Sequence, residues 1–410
     1  MKKFRLILSV LFILPLIFVS VVSADEHDED ADTPPIGFWE ECETPQNLPD
    51  ELTIGAIFGL SEAVAVYGIA QRQAVELAVA EVNAWGYLGE GVTLRVQFED
   101  SAGNAQQAIA AMEKLVVEDG VLAVLGPTLS TEAFAADPIA QENGTVVMGV
   151  SNTAIGITDM GDFVFRNSLP EEAVIPGTVE QAIDALGLER VGVMYGDDDD
   201  FTISGFDVFV DALDDNEIEI LSVETFARGD RDFSSQLTSL IARNPDALVV
   251  SALAAEAVQI IIQAREFGYD GPIIGGNGFN SPAVLDQSGE DAEGVIVGAA
   301  WNIGDPDPEP SSEAFQQAFV EEYGVAPDQF AAQAYTGAWL FATAIRCADS
   351  DDRADIRDAL AAIEDFPSPL GLYSFDENRD PVHDPIAQIV FEGAFLPLAS
   401  VIEGAAESDE

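Results

Sequence analysis

The sequence is poor in positive charge, with 16 Lys+Arg against 74 Asp+Glu and a formal net charge of −58. Lys2, Lys3 and Lys114 are its only lysines. A polyanion of this kind is repelled by nucleic-acid backbone and by anionic membrane surfaces, so neither is expected as a partner. Histidine is as scarce: His27 sits in an acidic stretch and His383 in a polar turn, where it reads as a surface residue. A Ser-His-acid or Cys-His apparatus therefore lacks a plausible imidazole. With so many carboxylates, no pair of them is diagnostic of acid–base chemistry, so no catalytic residue is assigned and the chain does not read as an enzyme. Gly275-Gly276-Asn277-Gly278 matches neither a phosphate loop, which needs a lysine, nor a dinucleotide fingerprint, and no cofactor is expected. Asp376, Asn378 and Asp380 have the spacing that opens a calcium loop. Pro381 and Ala387 stand where that loop needs glycine and an acid, and the run Asp197–Asp200 reads as a solvated face, so no metal is assigned.

What is present is a large apolar complement. Of 410 residues, 48% are hydrophobic and 9% aromatic, which excludes global disorder and leads us to expect two domains. Residues 1–24 read as a signal peptide: Lys2, Lys3 and Arg5 precede the apolar run Leu6–Val22, and Val22-Ser23-Ala24 offers small residues for cleavage. The somewhat long apolar run leaves an uncleaved anchor as the alternative. Export to a periplasmic or extracellular compartment is expected either way. There Cys42 and Cys347 can form one disulfide or remain two thiols. Acidic excess with lysine depletion suits a salty habitat, where charge repulsion is screened; an acidic secreted protein is the plainer alternative.

Residues 25–51 read as an acidic linker and 401–410 as an acidic tail. Between them strands and helices alternate. Leu52–Phe58, Val92–Phe98, Val121–Leu125 and Val146–Val150 are predicted strands. Val75, Val79 and Val82 form one stripe of the helix after the first strand, and Asn104 can cap the next helix. After Pro170 the alternation restarts, with strands at Val191–Tyr195, Ile218–Val223, Ala247–Ser251, Pro272–Gly275 and Val295–Ala299. Helices are predicted at Ser204–Asp214 and Gln329–Ala348 among others. Such βαβα repetition calls for parallel sheets covered by helices on both faces, an α/β protein of two lobes. Ligands of such sheets bind beyond the carboxyl ends of the strands. The polar residues there are Ser130, read as a helix N-cap, then Ser151, Thr153, the segment carrying Phe201, and Asn277.

With these residues assembled, the chain resembles the type I periplasmic solute-binding proteins of the branched-chain amino acid transporter class. The resemblance rests on an ordered set of segments, among them IGAIFGLSEAVAVYGIAQRQAVELAVAEVNAWG, FVFRNSLP and FDENRDPVHDPIAQIVFEGAF. It implies a bilobed fold with three crossover strands, lobe one at 52–167 and 301–375 and lobe two at 168–300 and 376–400. It also implies a monomer that closes on a small-molecule solute and delivers it to the membrane permease of an ABC transporter. A ligand-sensing receptor on the same fold is the alternative. Carried over residue by residue, Ser130 and Thr153 would hold a ligand carboxylate, and the Ser151 backbone an ammonium group. Tyr67 and Phe201 would wall the site. The relatives' acidic partner for the ammonium falls at Asn277, which has no charge to offer, so a small carboxylate-bearing or amide-like solute is expected, with a branched-chain amino acid as the alternative.

Overall fold

The computed structural model describes residues 36–402; the expected signal peptide, His27, the start of the linker and the end of the tail lie outside the described residues. Strands β1 (Glu51–Phe58), β2 (Thr93–Asp100), β3 (Ala123–Leu125), β4 (Val146–Gly149) and β5 (Val164–Arg166) form one parallel sheet, ordered β2-β1-β3-β4-β5. The short central strands β3 and β4 are buried along their whole length, as befits a sheet covered on both faces. Three helices make the crossovers: α1 (Ala65–Ala84), α2 (Ala105–Glu113) and α3 (Ser130–Glu142). Val75, Val79 and Val82 are all buried on α1. Asn104 caps α2 as expected, accepting from the N–H groups of Gln106 and Gln107.

The second lobe follows. Helices α4 (Glu171–Leu186), α5 (Asp200–Asp215), α6 (Ser234–Ile241), α7 (Ala254–Glu266) and α8 (Pro282–Ser288) alternate with β6 (Arg190–Gly196), β7 (Glu219–Phe226), β8 (Ala247–Ser251), β9 (Ile273–Gly275) and β10 (Val295–Ala299). The chain then returns to the first lobe with α9 (Pro310–Tyr323), α10 (Gln329–Ala348) and α11 (Arg353–Ala361). There Ala331, Trp339 and Phe341 of α10 and Phe315 of α9 join the core around α1. A small antiparallel sheet comes next, of β11 (Phe366–Ser368), β12 (Gly371–Phe375) and β13 (Pro381–Val382). Finally β14 (Ile386–Phe391) and β15 (Ala394–Pro397) add antiparallel strands to the edge of the second sheet, giving the order β15-β14-β10-β9-β8-β6-β7. The chain thus crosses between lobes after β5, after β10 and after the small sheet.

Three sequence expectations are corrected here. Residues 36–50, part of the expected linker, are docked on the first lobe. Ile36 is buried, the Trp39 ring meets Tyr87 edge-on at 4.5 Å, and Asp349 Oδ1 accepts from the Gln46 and Asn47 N–H groups. Cys42 is bonded to Cys347 across a Cα–Cα distance of 5.1 Å. Second, His383 is not a surface imidazole. Both its ring nitrogens are buried without a hydrogen-bond partner, its ring lies 6.2 Å from that of Tyr373, and burial pushes its pKa down to about 4. Third, α5 begins at Asp200 rather than Ser204, because Asp199 caps it by accepting from the Phe201 and Thr202 N–H groups. Asp380, the fifth position of the calcium-like spacing, is paired with the buried Arg166 at 2.7 Å.

Several of the scarce arginines, mostly half-buried, donate to backbone carbonyls near element ends. Arg265 donates to the Tyr269 and Gly271 carbonyls at 2.8 and 2.7 Å, Arg346 to Cys42 at 2.9 Å, Arg353 to Val121 at 2.7 Å and Arg379 to Thr158 at 2.9 Å. Carbonyls left over at such ends need donors, and a planar guanidinium supplies several at once. Among the described residues no helix is long and apolar enough to cross a membrane.

Candidate functional site

Strand ends of the two sheets face each other across a narrow recess lined by Tyr67, Ser130, Ser151, Phe201, Asn277 and Phe330, with Thr128, Leu129, Leu253 and Gly278 between them. No charged side chain is in that lining. Five of the six expected residues therefore meet at one place. Thr153 stands just behind: its N–H donates to Ser130 Oγ at 3.2 Å, and its own buried hydroxyl has no partner.

Ser130 is the first residue of α3 and not its N-cap, which is Leu129. Its side chain turns to the neighbouring loop, where Oγ accepts from the Thr153 and Ala154 N–H groups, each at 3.2 Å. Glu132 instead accepts from the Leu129 N–H, at 3.0 Å. Ser130's hydroxyl proton is left for another acceptor. Ser151 and Thr128 are joined through Gln71, a residue the sequence reading passed over. Gln71 Nε2 donates to Ser151 Oγ at 2.7 Å, Thr128 Oγ1 donates to Gln71 Oε1 at 2.7 Å, and Ser151 Oγ donates to the Thr128 carbonyl at 2.6 Å. Being satisfied, this buried network sets the loop geometry.

Tyr67 spans the lobes. From α1 its hydroxyl donates to the Gly278 carbonyl at 2.9 Å and accepts from the Ala254 N–H at 2.7 Å, and its ring packs 4.7 Å from Phe330. Burial pushes its pKa far up, so it stays a neutral donor. Asn277 also spans them, with Nδ2 donating to the Ser151 carbonyl at 3.3 Å. Its Oδ1 accepts from Gln329 Nε2 at 2.5 Å and Asn280 Nδ2 at 3.3 Å. Both ends of the amide are thus engaged by protein groups.

Beside the recess three carboxyl groups gather around Arg228. Asp199 Oδ2 lies 3.8 Å from Arg228 Nη1 and accepts from the Thr131 hydroxyl of the first lobe at 3.3 Å, while Glu256 accepts from the Gly229 N–H at 2.7 Å. Burial first of all raises the pKa of Glu132, Asp199 and Glu256, and Arg228 opposes it. The described residues contain no group of three or more His, Cys, Asp and Glu placed to hold a metal ion.

Gln71 and Phe330 carried no local signal, since Phe330 reaches the recess, and Gln71 the residues lining it, from helices whose pattern is that of core. Glu171, buried behind Asn277, was likewise missed; as an acid opening a helix after Pro170 it looks like an ordinary first-turn residue.

A family model described as periplasmic binding protein matches residues 51–391. The Leu/Ile/Val-binding protein BraC3 of Rhizobium johnstonii is 26% identical over 333 residues, covering 80% of this chain and 89% of that protein. The Leu/Ile/Val-binding protein of Escherichia coli K12 is 24% identical over 334 residues, covering 81% and 89%. Among solved structures, the branched-chain amino acid transporter substrate binding protein LivJ of Streptococcus pneumoniae, in complex with isoleucine, superposes with a TM-score of 0.79 at 28% identity. The superposition covers 84% of this chain and 97% of that one. These similarities are to receptors and not to enzymes, and the matched residues span both lobes. The chain belongs to the periplasmic binding protein family.

Proposed function

We propose that the protein is the extracytoplasmic solute-binding receptor of an ABC importer. It captures a small carboxylate-bearing solute, an amino acid or a related acid or amide, by closing its lobes and hands it to a membrane permease. The observation that carries this reading is the lining of the recess. The Ser130 hydroxyl and the first turn of α3 stand on one side, Tyr67, Phe201 and Phe330 supply apolar walls, and no charged side chain intervenes. An anion there is held by helix N–H groups and hydroxyls rather than by a cation. The unpartnered Thr153 hydroxyl beside Ser130 adds a donor. The bond between Cys42 and Cys347 suits an oxidising compartment outside the cytoplasm.

Closure follows from bonds that exist only when the lobes meet, those of Tyr67 and Asn277 among them. A solute that bridges both lobes shifts the population toward that state. The test is a thermal-shift panel of amino acids, amides, short-chain acids and aromatic acids at low and high salt, with calorimetry on whatever shifts. A solute at a hundred times its Kd stabilises by about 2.7 kcal/mol, and Ser130→Ala is expected to remove most of that gain. A panel in which nothing raises the midpoint overturns the reading.

A further inference from the structure

The acid cluster beside the recess is divided between the lobes. Glu132 belongs to α3 of the first lobe and is fully buried, with Oε2 on the Leu129 N–H and Oε1 without a partner. Asp199 and Glu256 belong to the second lobe, and each is 3% exposed. Arg228, in the loop after β7, is also of the second lobe, where its N–H donates to Asp198 Oδ1 at 2.8 Å. Its guanidinium nevertheless lies against the first lobe: a Cβ built on Gly103, in the loop after β2, would fall 2.6 Å from Arg228 Nη2. Gly103 has a φ of +69°, so the turn itself favours glycine, and the missing side chain leaves the space that the guanidinium takes.

A second crossing lies alongside. Thr131 of the first lobe accepts from the Asp200 N–H at 2.9 Å and donates to Asp199 Oδ2 at 3.3 Å. One hydroxyl thus reaches both the backbone and the capping carboxylate at the start of α5, the helix that carries Phe201 into the wall of the recess.

With the lobes apart, water can hydrate each carboxylate. With them together, Glu132 shares a dry space with Asp199 and Glu256, and buried acids of like charge oppose one another unless a cation stands among them. Burial raises the pKa of all three, and the field of Arg228 lowers each of them, Glu132 across the cleft included. Its distance of 3.8 Å from Asp199 is too long for a hydrogen bond, so Arg228 acts as a shared charge rather than as a clamp on one carboxylate. Asp137, Asp198, Asp200 and the neutral Tyr67 border the cluster as well, and none of them is a cation. Nor does Arg228 line the recess, so its influence falls on the meeting of the lobes and not on the solute.

We propose that Arg228 is the positioning residue that lets the lobes shut, a second-lobe cation that seats against Gly103 and offsets the acids of both lobes as they come together. The inference rests on the receptor reading above and concerns how capture is held, whatever the solute.

The test is calorimetric titration of the full chain and of Arg228→Gln with L-leucine, 4-methylpentanoate and 4-methylpentanamide. The variant is expected to bind each solute that the wild type binds about tenfold more weakly, well within the range for members of one charge network, with the same loss for the acid as for its amide. Lowering the pH from about 7.5 to about 5 is expected to narrow the gap for leucine and the amide. Without Arg228 the buried carboxyl groups rise further, closure then takes up protons, and acid favours the form that binds more of them. Arg228→Lys is expected to keep most of the affinity. Glu132→Gln, which retains an acceptor for the Leu129 N–H, is expected to make Arg228→Gln cost less than it does alone. A loss that does not change with pH, or that adds to the loss from Glu132→Gln, overturns the role across the cleft and marks Arg228 as a support of its own loop. A loss confined to the acid overturns it too, by putting Arg228 on the solute carboxylate. The receptor reading survives all of these results, whereas a wild-type chain that binds none of the three solutes overturns that reading and the inference with it.

Discussion

Tyr67→Phe isolates the contribution of lobe closure to binding. The substitution keeps the ring against Phe330 and removes one oxygen, which in the closed form donates to Gly278 and accepts from Ala254. Both backbone partners belong to the second lobe, whereas Tyr67 belongs to α1 of the first. With the lobes apart, water can satisfy the Gly278 carbonyl and the Ala254 N–H; with the lobes together and phenylalanine at 67, both are stranded. Two net hydrogen bonds are worth about 1–3 kcal/mol, which converts to roughly a 5- to 150-fold weaker Kd. Isothermal calorimetry on any solute found by thermal shift measures this directly. The stability of the solute-free chain is expected to change little, and the solute-induced midpoint shift to shrink. A Kd within twofold of wild type would refute the reasoning. So would an equal loss of stability with and without solute, because the two bonds would then not report on closure.

Asn277→Asp sets a carboxylate oxygen where the amide nitrogen donates to the Ser151 carbonyl; binding of deamino acids is expected to weaken about tenfold, roughly one charge-assisted or two ordinary bonds, with amino acids losing less. Comparative calorimetry decides, and equal losses would remove Asn277 from any part in discrimination. The paired change Cys42→Ser and Cys347→Ser opens a loop spanning a sequence separation of 305. It should cost about 2–5 kcal/mol in reversible unfolding, and an unchanged denaturation midpoint would argue against it. His383, held neutral down to about pH 4, binds fewer protons folded than unfolded between that value and about 6.5. Its presence therefore costs stability as pH falls through that window, by at most about 3 kcal/mol. Buried Glu171, raised to about 8, acts in the opposite sense, so the quantity to measure is the difference between wild type and His383→Gln at pH 7 and pH 4.5. A constant difference counts against the buried imidazole.

The alternation of elements was legible because buried parallel strands leave unbroken apolar runs and amphipathic helices leave stripes. Ala247–Ser251, Val295–Ala299 and Gln329–Ala348 match to the residue. Boundaries slipped where a polar residue had two possible tasks. Asp199 sits in an acidic run and so looks solvated, yet it caps α5, and Ser130 looks like a cap yet turns toward Thr153. The hydroxyls of the candidate site were legible as polar groups beyond strand ends, a property of the local chain. Gln71, Phe330 and Glu171 were not, because what distinguishes them is who lies opposite. The Gln71 partners are 57 and 80 residues away in sequence. His383 misled for the same reason: flanking Val382 and Asp384 describe its chain neighbours, and burial under Tyr373 does not appear in them. The docking of residues 36–50 likewise depends on Tyr87 and Asp349, far along the chain.

Acids outnumber Lys+Arg by 74 to 16, and several of the few guanidinium groups are held on carbonyls at element ends, so little positive charge is left to neutralise the acids. Each half of the molecule then presents a like-signed field to the other. Bringing them together is electrostatic work that dissolved ions must perform, since the screening length shortens from about 30 Å at 0.01 M to about 3 Å at 1 M. Salt thereby becomes a co-ligand of the shut conformation: capture should tighten as ionic strength rises, the reverse of what a receptor holding its anion by exposed lysines would show.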